Sequence, residues 1–283
     1  MAAGRMEFVP HEIAWEKIMK KSTAKTTNQK DAIDLRLVRK WLKEAGKFAL
    51  TQRNLLSTEL KADGTPVTNI DLQIESMLVD HISQTYPDHQ ILSEEGNSHS
   101  NNCEFLWTID PIDGTRVYIS GLPVWGISVG ILKQGNPYAG AFFMPATGEM
   151  YWGIGDKGFF NNQPMPLQNN IDMQNSLAFI AVPSNTHRHY EISFNRLRSL
   201  GSTTAHLAYV ARGVAMAALT RRIYLWDLAA VLPLLKATGI SLVYLSGKAF
   251  DPHELLDGRP APEPLVAASA SIIEEVRSLI KMK

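Results

Sequence analysis

Between Gln90 and Gln163 the chain switches repeatedly between short apolar runs and turn signals. Gln90-Ile91-Leu92, Phe105 to Ile109, Pro123 to Leu132, Tyr138 to Met144 and Glu149 to Gly153 read as strands. Pro87-Asp88, Gln134-Gly135-Asn136-Pro137 and Pro145-Ala146-Thr147-Gly148 supply breaks. Strands this closely spaced pair with their neighbours, so antiparallel hairpins are expected here. Gly158 to Gln163 reads as one more hairpin. On the N-terminal side the period changes to that of a helix, with Leu35, Val38, Trp41 or Leu42, Ala45 and Phe48, and a second helix is expected from Asp71 to Thr85. On the C-terminal side strands are expected over Ser176 to Val182, Ile223 to Leu225 and Ser241 to Leu245. Helices are expected over Ala205 to Leu219, over Asp227 to Thr238 despite Pro233, and over Ser271 to Ile280. This mixed order predicts an α+β fold or a layered α/β sandwich.

The 283 residues suffice for one large domain or two intimate subdomains. Lysine plus arginine equals aspartate plus glutamate at 28 each. That balance argues against a broad grip on a nucleic acid polymer or an anionic membrane, yet leaves room for a local phosphate site. Cys103 is the sole cysteine, so neither an internal disulfide nor a cysteine-built zinc site can form. It reads as a loop or packing residue. No run approaches the roughly 18 apolar residues of a membrane span. The N-terminus lacks the apolar core of a secretory signal, so the cytoplasm is the expected compartment. Residues 1–30, with Lys20, Lys21, Lys25 and Lys30 among Ser, Thr, Asn and Gln, read as a partly ordered extension.

The chemistry concentrates in Trp107 to Thr115, WTIDPIDGT. An apolar strand ends on Asp110, Asp113 follows three residues later, and Gly114-Thr115 turns the chain. Two carboxylates at a strand end can point into one cavity, and oxygen ligands suit a hard divalent cation such as magnesium. A glycine there lets backbone N–H groups approach an anion, and a following helix N-terminus adds its dipole. On its own the stretch is equally an ordinary acidic turn. Ser93-Glu94-Glu95-Gly96 and Trp226-Asp227 shift the balance, because each places carboxylates just after another short strand.

These blocks resemble the inositol monophosphatase family, within the superfamily that includes fructose-1,6-bisphosphatase and the 3′-phosphoadenosine phosphatases. The resemblance rests on Asp63-Gly64-Thr65-Pro66-Val67-Thr68 leading to Asp71, Leu92 to Gly96, Trp107 to Thr115, and Trp226-Asp227-Leu228-Ala229-Ala230, in that order. It covers residues 31–283 and implies the αβαβα five-layer sandwich, with the metal site drawn from residues 71–115 and 227 and a C-terminal subdomain from about residue 175. It implies magnesium-dependent hydrolysis of a small phosphate monoester, with two or three Mg2+ ions, sensitivity to lithium and a homodimer. Glu94, Asp110 and the Ile112 carbonyl would hold a first ion; Asp110, Asp113 and Asp227 would hold a second. Gly114 and Thr115 N–H groups would seat the phosphate. Glu94 would orient or activate the attacking water, and Asp71 would hydrogen-bond the Thr115 hydroxyl that aims it. Gly201, Ser202 and Asp227 would lie against substrate.

The chain departs from the family pattern on the substrate side. Inositol-hydrolysing members carry an acidic residue seven positions before the WD aspartate, where this chain has Thr220, and commonly another at the place of Met216. An inositol or sugar phosphate is the favoured substrate. A 3′(2′),5′-bisphosphate nucleotide and histidinol phosphate are the alternatives, and Arg221 and Arg222 would suit a second phosphate. A catalytically silent relative that binds a phosphate ligand or a partner protein is the reading of another class. The presence of Asp71, Glu94, Asp110, Asp113, Thr115 and Asp227 together argues against it. His187, His189 and His206 read as surface or core residues, since the chemistry needs no histidine.

Overall fold

Helix α1 (Leu35–Gln52) buries Leu35, Val38, Trp41, Leu42 and Ala45 as the spacing predicts, but Ala49 takes the buried place expected for Phe48, which is half-buried. The structure, a computed structural model, describes residues 33–96, 103–169 and 171–283, and the extension expected over residues 1–30 lies outside them. Leu35–Lys283 form one compact unit. A small hairpin follows α1, β1 (Thr58–Leu60) against β2 (Pro66–Thr68), which the sequence pattern did not reveal. Helix α2 (Asn69–Thr85) opens on a capping box, in which the Thr68 hydroxyl accepts from the Asp71 N–H and the Asp71 carboxylate accepts from the Thr68 N–H.

The larger sheet begins with β3 (Gln90–Ser93) and β4 (Phe105–Asp113), which are parallel. Helix α3 (Thr115–Ser120) leads to β5 (Gly126–Lys133), β6 (Asn136–Met144), β7 (Glu149–Ile154), β8 (Lys157–Phe160) and β9 (Gln163–Pro164). From β4 onward every neighbour is antiparallel, as the turn spacing predicts. Two boundaries differ. Strand β5 starts at Gly126, not at Pro123, and β4 continues beyond Ile109 to Asp113. Proline is tolerated at 111 because the register with β5 shifts between Asp110 and Asp113.

The last third contains β10 (Ile180–Ala181), α4 (Thr186–His189), β11 (Tyr190–Ile192), β12 (Leu197–Arg198), α5 (Thr203–Arg212) and β13 (Ala217–Leu219). Then come α6 (Leu225–Leu228), α7 (Leu232–Ala237), β14 (Ile240–Tyr244), β15 (Leu265–Ser269), α8 (Ile273–Ser278) and β16 (Ile280–Met282). The smaller sheet has the order β12-β10-β13-β15-β14. Its β12, β10 and β13 run parallel, while β15 opposes β13 and β14.

Several expectations fail in this part. The helix expected over Ala205 to Leu219 stops at Arg212, where Gly213 at φ 78° caps it, and Ala217–Leu219 becomes a central strand. No strand covers Ile223 to Leu225; Leu225 instead opens α6. The helix expected over Asp227 to Thr238 divides in two, and Pro233 sits in the first turn of α7, where its missing N–H costs nothing. The strand expected over Ser176 to Val182 shrinks to β10.

Helices α1 and α2 pack on one face of the larger sheet, α5, α6 and α7 lie between the two sheets, and α8 covers the far face of the smaller one. The result is the αβαβα five-layer sandwich. Phe142, Tyr151, Leu207, Leu228 and Leu234 fill the layer between the sheets. Ile180, Leu219, Val266 and Val276 fill the layer under α8.

One close approach positions the site. A Cβ on Gly140 would lie 2.3 Å from the Ala230 carbonyl oxygen, and one on Gly130 would lie 2.4 Å from the Ala229 Cβ. Glycine on β5 and β6, against alanine after α6, lets the α6 segment settle directly onto the larger sheet. Ser128 Oγ fixes it there by donating to the Trp226 carbonyl at 3.1 Å.

Candidate metal and phosphate site

In a regular strand, residues three apart face opposite sides. The register shift in β4 cancels that alternation, so Asp110 and Asp113 enter the same cavity, and α6 adds Asp227 from above. One carboxylate oxygen from each of the three lies within 4.8 Å of the others. Asp110 and Asp113 are buried and Asp227 is half-buried. Asp113 is held firmly: its Oδ2 accepts from Ser202 Oγ at 2.6 Å and the Thr204 N–H at 2.6 Å, and its Oδ1 accepts from the Thr203 N–H at 3.1 Å. Asp227 Oδ2 accepts from the Tyr224 N–H at 2.7 Å. Asp110 Oδ1 is buried and has no hydrogen-bond partner among the described residues.

The electrostatics follow from that crowding. Burial, then the charges of Glu94, Asp113 and Asp227, push the Asp110 pKa well above the carboxylate range. Asp227 is raised by burial, Asp113 and Glu94. Burial also raises Asp113, against the pull of Ser202, Thr204 and Thr203. A buried carboxylate oxygen without a donor, inside an all-oxygen cluster, fits a hard divalent cation. No histidine or cysteine joins that cluster among the described residues.

Glu94 lies just past β3, where its N–H extends the ladder to the Ile109 carbonyl at 3.1 Å. Its carboxylate meets a residue that sequence reasoning missed. Lys61, in the loop of the β1–β2 hairpin, places Nζ 2.7 Å from Glu94 Oε1 and 2.6 Å from Glu95 Oε1. Burial lowers the Lys61 pKa, but Glu94 and Glu95 outweigh it and the net shift is upward. Burial drives Glu95 up to about 7. Glu75 on α2 steadies the loop by accepting from the Glu95 N–H at 2.9 Å.

Thr115 Oγ1 lies 3.1 Å from Asp71 Oδ1 and 3.0 Å from the Ile112 carbonyl oxygen, so its single proton has two acceptors in reach. Burial raises Asp71 to about 6, opposed by hydrogen bonds from Thr68. Gly114 adopts φ 95°, a left-handed backbone that favours glycine. A Cβ there would also press on the Gly201 carbonyl oxygen at 3.2 Å and the Ser202 Cβ at 3.3 Å. Gly114, Thr115, Gly201 and Ser202 therefore share one wall. The first N–H groups of α3 have no acceptor within their own helix.

The remaining candidates lie elsewhere. Met216 and Thr220 are buried, and the Thr220 N–H donates to the Leu265 carbonyl at 2.8 Å within the smaller sheet. His206 is buried, accepts from the Leu200 N–H at 3.0 Å, and is lowered to about 4 by burial. His187 is exposed and His189 half-buried. The loop of the β1–β2 hairpin is tied down by Arg116, which donates to the Gly64 carbonyl at 3.1 Å, and by Arg222, 3.4 Å from Asp63.

The family model described as "Inositol monophosphatase family" matches residues 32–281. Inositol-1-monophosphatase of Bacillus subtilis is 31% identical over 242 residues, covering 80% of this chain and 91% of that protein. Histidinol-phosphatase of Chlorobaculum parvum is 32% identical over 218 residues, covering 73% of this chain and 83% of that protein. The solved Thermotoga maritima IMPase superposes with a TM-score of 0.75 at 27% identity, covering 87% of this chain and 95% of that one.

Proposed function

The chain belongs to the inositol monophosphatase family, and on that footing we propose that it hydrolyses a small phosphate monoester with magnesium. The observation that carries this reading is the cluster of Asp110, Asp113 and Asp227 within 4.8 Å, built around a buried Asp110 oxygen that lacks a donor. Glu94, Asp110 and the Ile112 carbonyl are assigned to one ion and Asp110, Asp113 and Asp227 to another, with two or three ions in all. Magnesium held there supplies charge neutralisation at the phosphoryl oxygens and a water acidified toward neutral pH.

The chain's own groups do the positioning. The Thr115 hydroxyl commits its proton to Asp71 or the Ile112 carbonyl, so its lone pairs face the attacking water and hold it in line. Asp71 is ionised above about pH 6 and can take that proton onward through Thr115 Oγ1. The N–H groups of Gly114 and Thr115 seat the phosphate, with Gly201, Ser202 and Asp227 on the ester side. Asp113 is a structural clamp as well as a ligand, because it bonds three successive residues at the start of α5.

An inositol or sugar phosphate is the favoured ester. Histidinol phosphate is favoured next, by the name of the Chlorobaculum parvum relative; a 3′(2′),5′-bisphosphate nucleotide follows. Lithium inhibition, a homodimer and a cytoplasmic location belong to the same reading. No helix among the described residues is long and apolar enough to cross a membrane. The test is phosphate release from inositol 1-phosphate, fructose 1,6-bisphosphate, adenosine 3′,5′-bisphosphate and histidinol phosphate, with magnesium and with chelator. Magnesium-dependent release from any one supports the assignment; release that persists unchanged in chelator sinks it.

A further inference from the structure

Two of the buried positions on α2 are carboxylates, Asp71 and Glu75. They stand one turn apart and share a helix face, separated by about 6 Å along the axis. The other side chains that α2 buries are Ile70, Ile74, Leu78 and Ile82. A carboxylate set among such neighbours is costly unless it is partnered. Asp71 is partnered by Thr68 and Thr115 and belongs to the proposed reaction. Glu75 has no part in that reaction, and what it holds is the loop after β3.

Glu75 Oε2 accepts from the Glu95 N–H at 2.9 Å. Gly96 packs directly against the same carboxylate, since a Cβ there would lie 2.7 Å from Glu75 Oε1. Ser93 Oγ closes the loop by donating to the Gly96 carbonyl at 2.9 Å and accepting from the Gly96 N–H at 3.2 Å. Glu94 therefore lies between two backbone anchors. Its own N–H is fixed to the carbonyl of Ile109, the residue before Asp110, at 3.1 Å. The next N–H along the chain is the one fixed to Glu75. One helix thus serves both halves of the site. Asp71 reaches the threonine of the phosphate wall, and one turn on Glu75 reaches the loop that presents Glu94.

We infer that Glu75 is a positioning residue for the metal centre: by fixing the Glu95 N–H it sets where Glu94 stands relative to Asp110, and with that the affinity for the ion those two residues share. This inference rests on the magnesium-dependent phosphatase reading and adds to it a residue outside the ligand set. Magnesium demands near-ideal octahedral coordination, so a small displacement of one ligand weakens its binding, whereas calcium accepts irregular coordination. Hydrogen-bond partners behind metal ligands are commonly worth about 10–100-fold in affinity.

The test is titration calorimetry of magnesium and of calcium into the full chain, without substrate. Glu75→Leu removes the acceptor for the Glu95 N–H and is expected to weaken magnesium by about tenfold or more, and calcium by less. Glu75→Gln keeps one acceptor oxygen and should bind magnesium nearly as tightly as wild type. Leu78→Ala opens a cavity further along α2 and should lower Tm while magnesium affinity holds. Where Glu75→Leu does not fold, Gly96→Ala decides, because its methyl group pushes the Glu75 carboxylate aside without changing it. A folded Glu75→Leu or Gly96→Ala that binds magnesium as tightly as wild type overturns the inference, as does a Glu75→Gln that is as weak as Glu75→Leu. A wild type that binds no magnesium ends the phosphatase reading and this inference with it, whereas binding that ignores Glu75 refutes this inference alone.

Discussion

Asp110→Asn isolates the metal centre from catalysis, because it is read by stability alone. In the metal-free protein the substitution removes a charge whose Oδ1 is buried without a donor, next to Asp113 and Asp227. An unpartnered buried group costs about 1–3 kcal/mol and more when it is charged; asparagine keeps a polar atom in that place and relieves only the part that comes with the charge, taken as about 1–3 kcal/mol. A domain of this size shifts by about 2–4 °C in Tm per kcal/mol, so the variant should melt about 2–12 °C above wild type in chelator. Burial and the charges of Glu94, Asp113 and Asp227 raise the folded pKa of Asp110. A carboxylate whose pKa is raised by folding binds its proton more tightly when folded, so metal-free stability falls as pH climbs toward that raised value. The variant cannot titrate there, and its advantage should widen as pH rises from the ordinary carboxylate value of about 4 toward that raised value. Magnesium reverses the order. A ligand present at about 100 times its Kd adds about 2.7 kcal/mol to the wild type, and the variant should gain much less. Scanning calorimetry in chelator and in magnesium checks both halves. A variant less stable than wild type in chelator, or one that keeps the full magnesium increment, would refute the assignment of Asp110 as the shared ligand.

Other expectations follow from neighbouring groups. Thr115→Val should lower kcat by about a hundredfold with little change in KM, while Thr115→Ser retains most activity; equal turnover by Val and wild type would remove the threonine from the mechanism. His206 is neutral when folded, with a pKa of about 4 against an ordinary 6.5. Its contribution is complete above about pH 6.5 and is lost as pH falls toward 4, a swing of about 3 kcal/mol that urea titrations should find in wild type and not in His206→Gln. Gly140→Ala should destabilise by about 3 kcal/mol or more and weaken magnesium protection, because its Cβ would strike backbone at Ala230 and lift Asp227 off the sheet; normal metal protection would show that α6 tolerates the shift.

The site was legible in the sequence where one local segment carries both its structure and its chemistry. Trp107 to Thr115 is such a segment, since its apolar run, its carboxylates and its glycine all act within β4 and the turn after it. The meander from β4 to β9 was legible for the same reason, its turns being written between its strands. Lys61 was not, because its partners Glu94 and Glu95 stand 33 and 34 residues away and nothing near it marks the pairing. Ala217–Leu219 was misread because an alanine-rich run carries no strand propensity of its own; pairing on both sides, with β10 and β15, makes it a strand. Asp227 was expected at a strand-to-helix junction; the structure sets it inside α6 with no strand before it, since the preceding residues turn rather than extend.

Every residue of β4 is buried, whereas every residue of β1 is exposed. Amide protons along β4 should therefore exchange only when the whole sheet opens, while those of the hairpin exchange through small local openings. Asp110 and Asp113 sit on the slow strand, and Lys61, which pairs with Glu94, sits in the loop of the fast hairpin. On the proposed metal assignment, the Lys61–Glu94 pair would open with the breathing of a few hairpin residues, at a rate set apart from global unfolding and without loosening the core.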